Sequence, residues 1–250
     1  MRLNNLLTYL MKEQVEESIR TIPGKPFNMR EFKAMDDLEN IHDYVSRRLE
    51  KVGEGSSRTA YIVSSKYVLK LANLTDSSYD GNDEYKDEDG NWVKASPGAI
   101  DHGCDKGIVQ NEAEANTYME ASTSVQKVLP KIYDYHKHGY WLLTELVKPF
   151  NTLEEWEQAT GMRWEQLVDF TKYMLDNEFV HDEYDRNNFV DQSVLVALCD
   201  LVLKHDLEPN DICGIPQWGK TADGRAVLLD AGGTKEVLER YYNIAFYETE

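Results

Sequence analysis

The chain has 250 residues, 41% of them hydrophobic, which is enough for one large domain or two lobes around a core. Its formal charge of −18 at pH 7 argues against a nucleic-acid backbone or an anionic membrane as main partner, because both select clustered lysine and arginine. Three scattered cysteines, Cys104, Cys199 and Cys213, form no metal-binding spacing and suit a reducing compartment such as the cytoplasm.

Residues 1–50 read as helical. Leu3, Leu6, Leu7, Leu10 and Met11 make an apolar stripe at helical spacing, broken by Asn, Lys and Glu, so the stretch is an amphipathic helix and not a signal peptide. No apolar run is long enough to span a membrane. The break "TIPGKPF" precedes a second helical stretch, "MREFKAMDDLENIHDYVSRRLEKV". From Lys51 to Leu71 the pattern becomes strand, turn, strand, rich in Tyr, Val and Ile around Ser-Ser. Residues 74–104 are acidic and turn-rich and read as a long surface insertion. A helix is expected from about Gly107 to Ala121, then strands at "KIYDYHKHG" and "YWLLTELV". Helices follow near 153–160, 163–179 and 192–205, then a strand at "RAVLLD" and a short helix near 234–242. The fold class expected is α+β, with a β-rich N-terminal lobe over 51–148, a helical C-terminal lobe over 149–250 and a helical extension over 1–50.

Several stretches carry chemistry. In "KVGEGSSRTAYIVSSKYVLKLA", Gly53-x-Gly55 lies between strands and Lys70 near the end of the second. Glycines let backbone N–H groups approach phosphate oxygens, Ser56 and Ser57 add donors, and a strand lysine can reach the same phosphates. An ordinary glycine-turn hairpin is the plainer alternative. "LLDAGG" places Asp230 at a strand end before Gly232 and Gly233, which suits either a turn or a metal ligand.

The glycine turn with "VLK" resembles the glycine-rich loop and strand lysine of the eukaryotic-type protein-kinase superfamily, with Arg58 in the third glycine's place. The resemblance implies a two-lobed fold, ATP and Mg²⁺ as cofactors, and transfer of the γ-phosphoryl group to a hydroxyl of a protein or small molecule. It requires a helical glutamate to hold Lys70. "GIVQNEAEANTYM" offers Glu112 and Glu114, and Glu114 shares the packing face with Ala115 and Tyr118. "YWLLTELV" resembles the hinge strand, where Thr144 precedes Glu145, Leu146 and Val147, whose backbone groups would meet an adenine ring.

Two stretches compete for the catalytic loop. "VHDEYDRNNFV" aligns Asn188 and His181 but puts Glu183 at the base. The other places Asp211 after a hydrophobic helix and nineteen residues before Asp230, close to the family's spacing, and is preferred. Asp211 is then the catalytic aspartate, Asp230 the main Mg²⁺ ligand of a D-x-G motif, and Gln217 a weaker second ligand. The chain ends twenty residues past Asp230 without an A-P-E motif, an economy resembling compact kinase-like proteins encoded by bacteriophages, which would act in the host cytoplasm. Two other classes compete: a pseudokinase-type binding module, and a structural component of a viral particle that docks a protein partner through residues 1–50.

Overall fold

The computed structural model describes residues 26–74, 84–86, 92–94, 105–176 and 193–242. The helix expected over residues 1–20, most of the acidic stretch 74–104 and the competing loop 180–190 lie outside them. Within them the chain is mixed α+β. It opens with α1 (Met29–Lys33) and α2 (Leu38–Ser46), continues through β1 (Glu50–Glu54), β2 (Arg58–Ile62) and β3 (Tyr67–Ala72), and forms a small hairpin of β4 (Glu84–Lys86) and β5 (Trp92–Lys94). Next come α3 (Asp105–Glu120), α4 (Thr123–Gln126), β6 (Ile132–Tyr135), β7 (Trp141–Glu145) and β8 (Lys148–Pro149). The rest is α5 (Leu153–Thr160), α6 (Trp164–Asp176), α7 (Ser193–His205), two 3₁₀ turns (Pro209–Ile212 and Ile215–Gln217), β9 (Trp218–Lys220), β10 (Ala226–Leu228) and α8 (Lys235–Tyr242). Among the described residues no helix is long and apolar enough to cross a membrane.

The main sheet is five-stranded and antiparallel, in the order β1-β2-β3-β7-β6. Side chains alternate faces along a strand. On β3, Leu69 and Leu71 therefore face one side and Lys70 the other. Leu69 and Leu71 are fully buried in a cluster with Phe32, Ile41 and Val45 of α1 and α2 and with Trp141 and Leu143 of β7. Lys70 points to the opposite face, where α3 lies.

The N-terminal segment differs from expectation in two respects. The single helix read from "MREFKAMDDLENIHDYVSRRLEKV" is interrupted at residues 34–37, because Asp37 caps a new helix by accepting from the Asn40 N–H at 2.8 Å. Nor does a boundary at residue 50 coincide with a break in packing. Phe27, Phe32, Ile41, Tyr44 and Leu49 complete the sheet's own core, so residues 27–49 are part of that layer and not an arm beside it. The strand-turn-strand reading of 51–71 is also one strand short: Ser56-Ser57 and Ser64-Ser65 each sit at a turn, separating three strands.

A second core is helical. Trp156 packs edge-on to Trp164 and Trp218, at centroid distances of 5.0 and 5.6 Å, with Leu167, Phe170, Leu198 and Val202 around them. The small sheet β10-β9-β8 lies at its margin. Its β8–β9 pairing is close enough that a Cβ on Gly219 would sit 2.6 Å from Val147 Cγ1.

Candidate functional site

A cavity of about 320 Å³ opens between the glycine turn and the end of β10. It is lined by residues 53–60, Lys70, Gln110, Gln217, Leu229 and Asp230, and its volume lies at the lower end of the range for small-molecule clefts. The turn that roofs it is pinned. Asn73 Nδ2 donates to Gly55 O at 3.0 Å and Ser56 O at 3.3 Å, while Thr59 Oγ1 donates to Asn73 Oδ1 at 2.7 Å. Gly55 donates its own N–H across the turn to Arg58 O at 2.8 Å, so that donor is committed within the hairpin. Ser57 is buried and gives its hydroxyl proton to Gln110 Oε1, not to the cavity, and Ser56 is half-buried on the lining.

Below the turn runs a chain of four charges from four parts of the sequence. Lys70 Nζ, from β3, lies 2.6 Å from Glu114 Oε1 on α3. The other oxygen of that carboxylate, Oε2, is 2.8 Å from Arg58 Nη1 at the start of β2. Arg58 Nη2 in turn is 2.6 Å from Asp230 Oδ1, just past β10. Two cations and two carboxylates alternate, and the cluster sums to zero. Lys70 also donates to Leu229 O at 2.6 Å, Arg58 Nη1 to Asn111 Oδ1 at 3.2 Å, and the Gly232 N–H to Asp230 Oδ1 at 3.0 Å. A buried ion pair offsets its desolvation only when its remaining hydrogen-bonding capacity is filled, and these side bonds fill much of it.

Helix α3 supplies this cluster because the face it buries is polar. Gln110, Asn111, Glu114 and Thr117 are all buried, at spacings of three and four that keep them on one side. Of the two candidate glutamates, Glu114 has only 4% of its side chain exposed, whereas Glu112 lies on the exposed side. Gly107 admits the helix to the turn: a Cβ there would stand 2.2 Å from Ser57 O.

The electrostatics follow from the geometry. Burial works against the charge of Asp230, but Arg58 and Lys70, with the Gly232 N–H, outweigh it and hold the carboxyl well below the usual range. Arg58 is likewise desolvated, yet Asp230 and Glu114 keep it firmly charged. Asp211 is the opposite case. Partial burial, and then the charges of Asp230 and Glu208, push its carboxyl up to about 6. Its position is tight, since a Cβ on Gly233 would lie 1.9 Å from Asp211 Oδ2. The backbone of the Asp211 turn is tied to the segment after Asp230 by Glu208 N–H donating to Gly233 O at 3.0 Å and by a bridge between Leu207 and Thr234.

The structure thus brings together Gly53, Gly55, Ser56, Ser57, Lys70, Glu114, Gln217 and Asp230, with Asp211 behind Gly233 and outside the cavity lining. Gln217 ends the second 3₁₀ turn and shares the cavity wall with Asp230, while its carbonyl accepts from Leu229 N–H at 2.6 Å. Neither Glu145 nor Val147 lines this cavity. The Glu145 side chain pairs with Arg225 at 2.7 Å, its N–H donates to Lys131 O at 2.8 Å, and the Leu146 N–H donates to Lys66 O at 2.7 Å. Two of the three hinge-like N–H groups are therefore held by neighbouring backbone.

Sequence reasoning misses one residue of the site and one backbone feature outside the cavity lining. Arg58 reads there only as a lost glycine, although an arginine at the start of the apolar strand "RTAYI" signals a paired buried charge. Asp206 has φ 53°, the one positive φ of a non-glycine residue among the described residues, and its carbonyl accepts from Lys235 N–H at 2.9 Å. Such backbone recurs at functional sites, although Asp also adopts it in ordinary turns.

A magnesium ion usually takes one or two carboxylates together with substrate phosphates. The donor set fits that habit: Asp230 and Gln217 share one wall, and the unfavourable negative field at Asp211 is of the sign a cation relieves. Among the described residues no group of three or more His, Cys, Asp or Glu could hold a metal by itself. No protein-family model matches the chain, and no curated protein matches it.

Proposed function

We propose that the chain is a compact, two-lobed, kinase-like protein that binds ATP with Mg²⁺ and transfers the γ-phosphoryl group to a hydroxyl. The observation that carries this reading is the Lys70–Glu114 pair beneath a glycine turn, in one cavity with Asp230. Lys70 stands on the third strand and Glu114 on the helix that follows, which is the arrangement the resemblance requires. Lys70 would meet the phosphates, Glu114 would hold Lys70, and Asp230 with Gln217 would hold the metal. When bound, that metal neutralises charge developing on the transferred group. Asp211 would position or deprotonate the acceptor hydroxyl, and a carboxyl near 6 can take a proton at neutral pH.

The nearness of Asp211 to Asp230 also suits a carboxylate that shares the metal. His205-Asp206 then stands where H-R-D falls in H-R-D-x-x-x-x-N, Asp211 takes the asparagine's place, and Asp206 becomes the base. A second reading, a binding module without transfer, is favoured by one observation: Asp230 is already paired with Arg58.

The test is calorimetric titration of Mg·ATP into wild type and Lys70→Ala, beside a transfer assay with γ-labelled ATP. Lys70→Ala should weaken binding by about 1–3 kcal/mol, the range for charge-assisted contacts. Equal affinities would refute the site. Binding without label transfer selects the second reading. If label is transferred, Asp206→Asn and Asp211→Asn show which aspartate the transfer needs.

A further inference from the structure

Asp230 is the carboxylate through which a divalent cation would be held, yet it already has a cation. Arg58 Nη2 lies 2.6 Å from Asp230 Oδ1. This is not a surface arginine that has drifted on to a neighbour. Only 8% of the Arg58 side chain is exposed, and its other terminal nitrogen is held by Glu114 at 2.8 Å and Asn111 at 3.2 Å. To leave Asp230 it would have to abandon those bonds as well. Arg58 nevertheless lines the same cavity as Lys70 and the glycine turn.

A divalent ion in a phosphate site does two separable things. It would cancel the repulsion between carboxylate and phosphate, and it would supply charge neutralisation to the transfer itself. The first needs only a fixed positive charge. A guanidinium is always protonated, so its charge stays fixed beside the carboxylate it pairs with. Lys70 supplies a second fixed charge on the same wall.

We propose that Arg58 is a resident counter-cation for Asp230, so that the cavity binds the polyphosphate of a nucleoside triphosphate with an affinity nearly independent of divalent metal. The inference deepens the nucleotide reading above and rests on it. It divides the metal's roles: Mg²⁺ is dispensable for holding ATP and is needed only for moving its phosphoryl group. It also gives a meaning to the arginine at the third glycine position. A glycine there would remove the cation in direct contact with Asp230 and leave it only Lys70 and the Gly232 N–H, so binding would lean on the metal.

The experiment is calorimetric titration of ATP into the full chain, in magnesium-containing buffer and in EDTA, for wild type, Arg58→Gln and Arg58→Lys. Circular dichroism establishes that each variant is folded. Wild type should bind in EDTA within about threefold of its affinity in magnesium. Arg58→Gln should lose about tenfold or more in EDTA, the order of one charge-assisted hydrogen bond, and recover most of it in magnesium. Arg58→Lys, which keeps the charge without the fork, should fall between. If Arg58→Gln does not fold, the wild-type ratio decides alone. Wild-type binding that appears only with magnesium overturns the inference and leaves the nucleotide reading standing. Folded Arg58→Gln that binds in EDTA as wild type does also overturns it. No binding in either buffer overturns both.

Discussion

Replacing Asp211 with asparagine should stabilise the protein at neutral pH and leave it nearly unchanged in acid. The three influences on Asp211, burial and the charges of Asp230 and Glu208, all disfavour its ionised form and lift its carboxyl from 3.8 to about 6. The folded chain therefore keeps a proton that the unfolded chain releases between those values. Stability from this group is greatest below the unfolded pKa and is lost as pH rises through about 6. Two units correspond to about 3 kcal/mol at 1.36 kcal/mol per unit. Asp211 is only half-buried, so solvent screening reduces the expectation to about 1–2 kcal/mol. The asparagine side chain is a neutral shape-match for the protonated acid. Urea denaturation of both proteins, followed by tryptophan fluorescence from pH 4 to pH 8, reads the difference directly. The variant should exceed wild type by only a few tenths of a kcal/mol near pH 4 and by about 1–2 kcal/mol above pH 7, with unchanged dependence on urea concentration. A difference that is flat across this window, or that falls with pH, refutes the placement of Asp211 against Asp230.

Three further outcomes follow from the packing. Glu114→Gln leaves Lys70 and Arg58 without their shared counter-charge and should cost about 3 kcal/mol in chemical denaturation, the range for breaking a buried pair from one side; a loss below about 1 kcal/mol would show that the chain of charges contributes little. Gly233→Ala drives a methyl into Asp211 and should cost about 2 kcal/mol, and adding Asp211→Ala should return part of it; strict additivity of the two changes would mean they do not touch. Phe32→Ala should cost about 3–5 kcal/mol, whereas a substitution on a detachable arm would leave the unfolding of the sheet unaltered.

Much of the site is legible from residue types alone because its parts are local. A glycine pair before apolar strands, a lysine alternating with Leu69 and Leu71, and an aspartate between an apolar strand and two glycines each declare themselves within a few residues. Glu114 can be chosen over Glu112 because helical spacing separates the two faces. Arg58 cannot be assigned in this way. Its partners Glu114, Asn111 and Asp230 are remote in sequence, and only the folded chain brings them to it. The packing of the N-terminal helices, unlike their helicity, escapes the sequence for a similar reason. Their amphipathic pattern shows that something covers them, but not that the cover is β3 and β7. The break at residues 34–37 is visible in principle, since Asp37 precedes Leu38 as a helix cap should.

The order of the main sheet bears on how the chain can be made. Strand β3 lies between β2 and β7, and Tyr67 of β3 pairs with Glu145, seventy-eight residues further on. A ribosome adding about 5–20 residues per second takes about 4–16 s to deliver that partner. Throughout this interval the newly made β3 has one open edge and carries Leu69 and Leu71, a template for pairing with another nascent chain. Helices α1 and α2 precede β3 and emerge before it, and they cover the leucine face. The chain thus carries its own shield ahead of the strand that needs it. Removing residues 27–49 would expose that face during synthesis, so the first symptom of the loss would be aggregation in the cell rather than altered chemistry at the site.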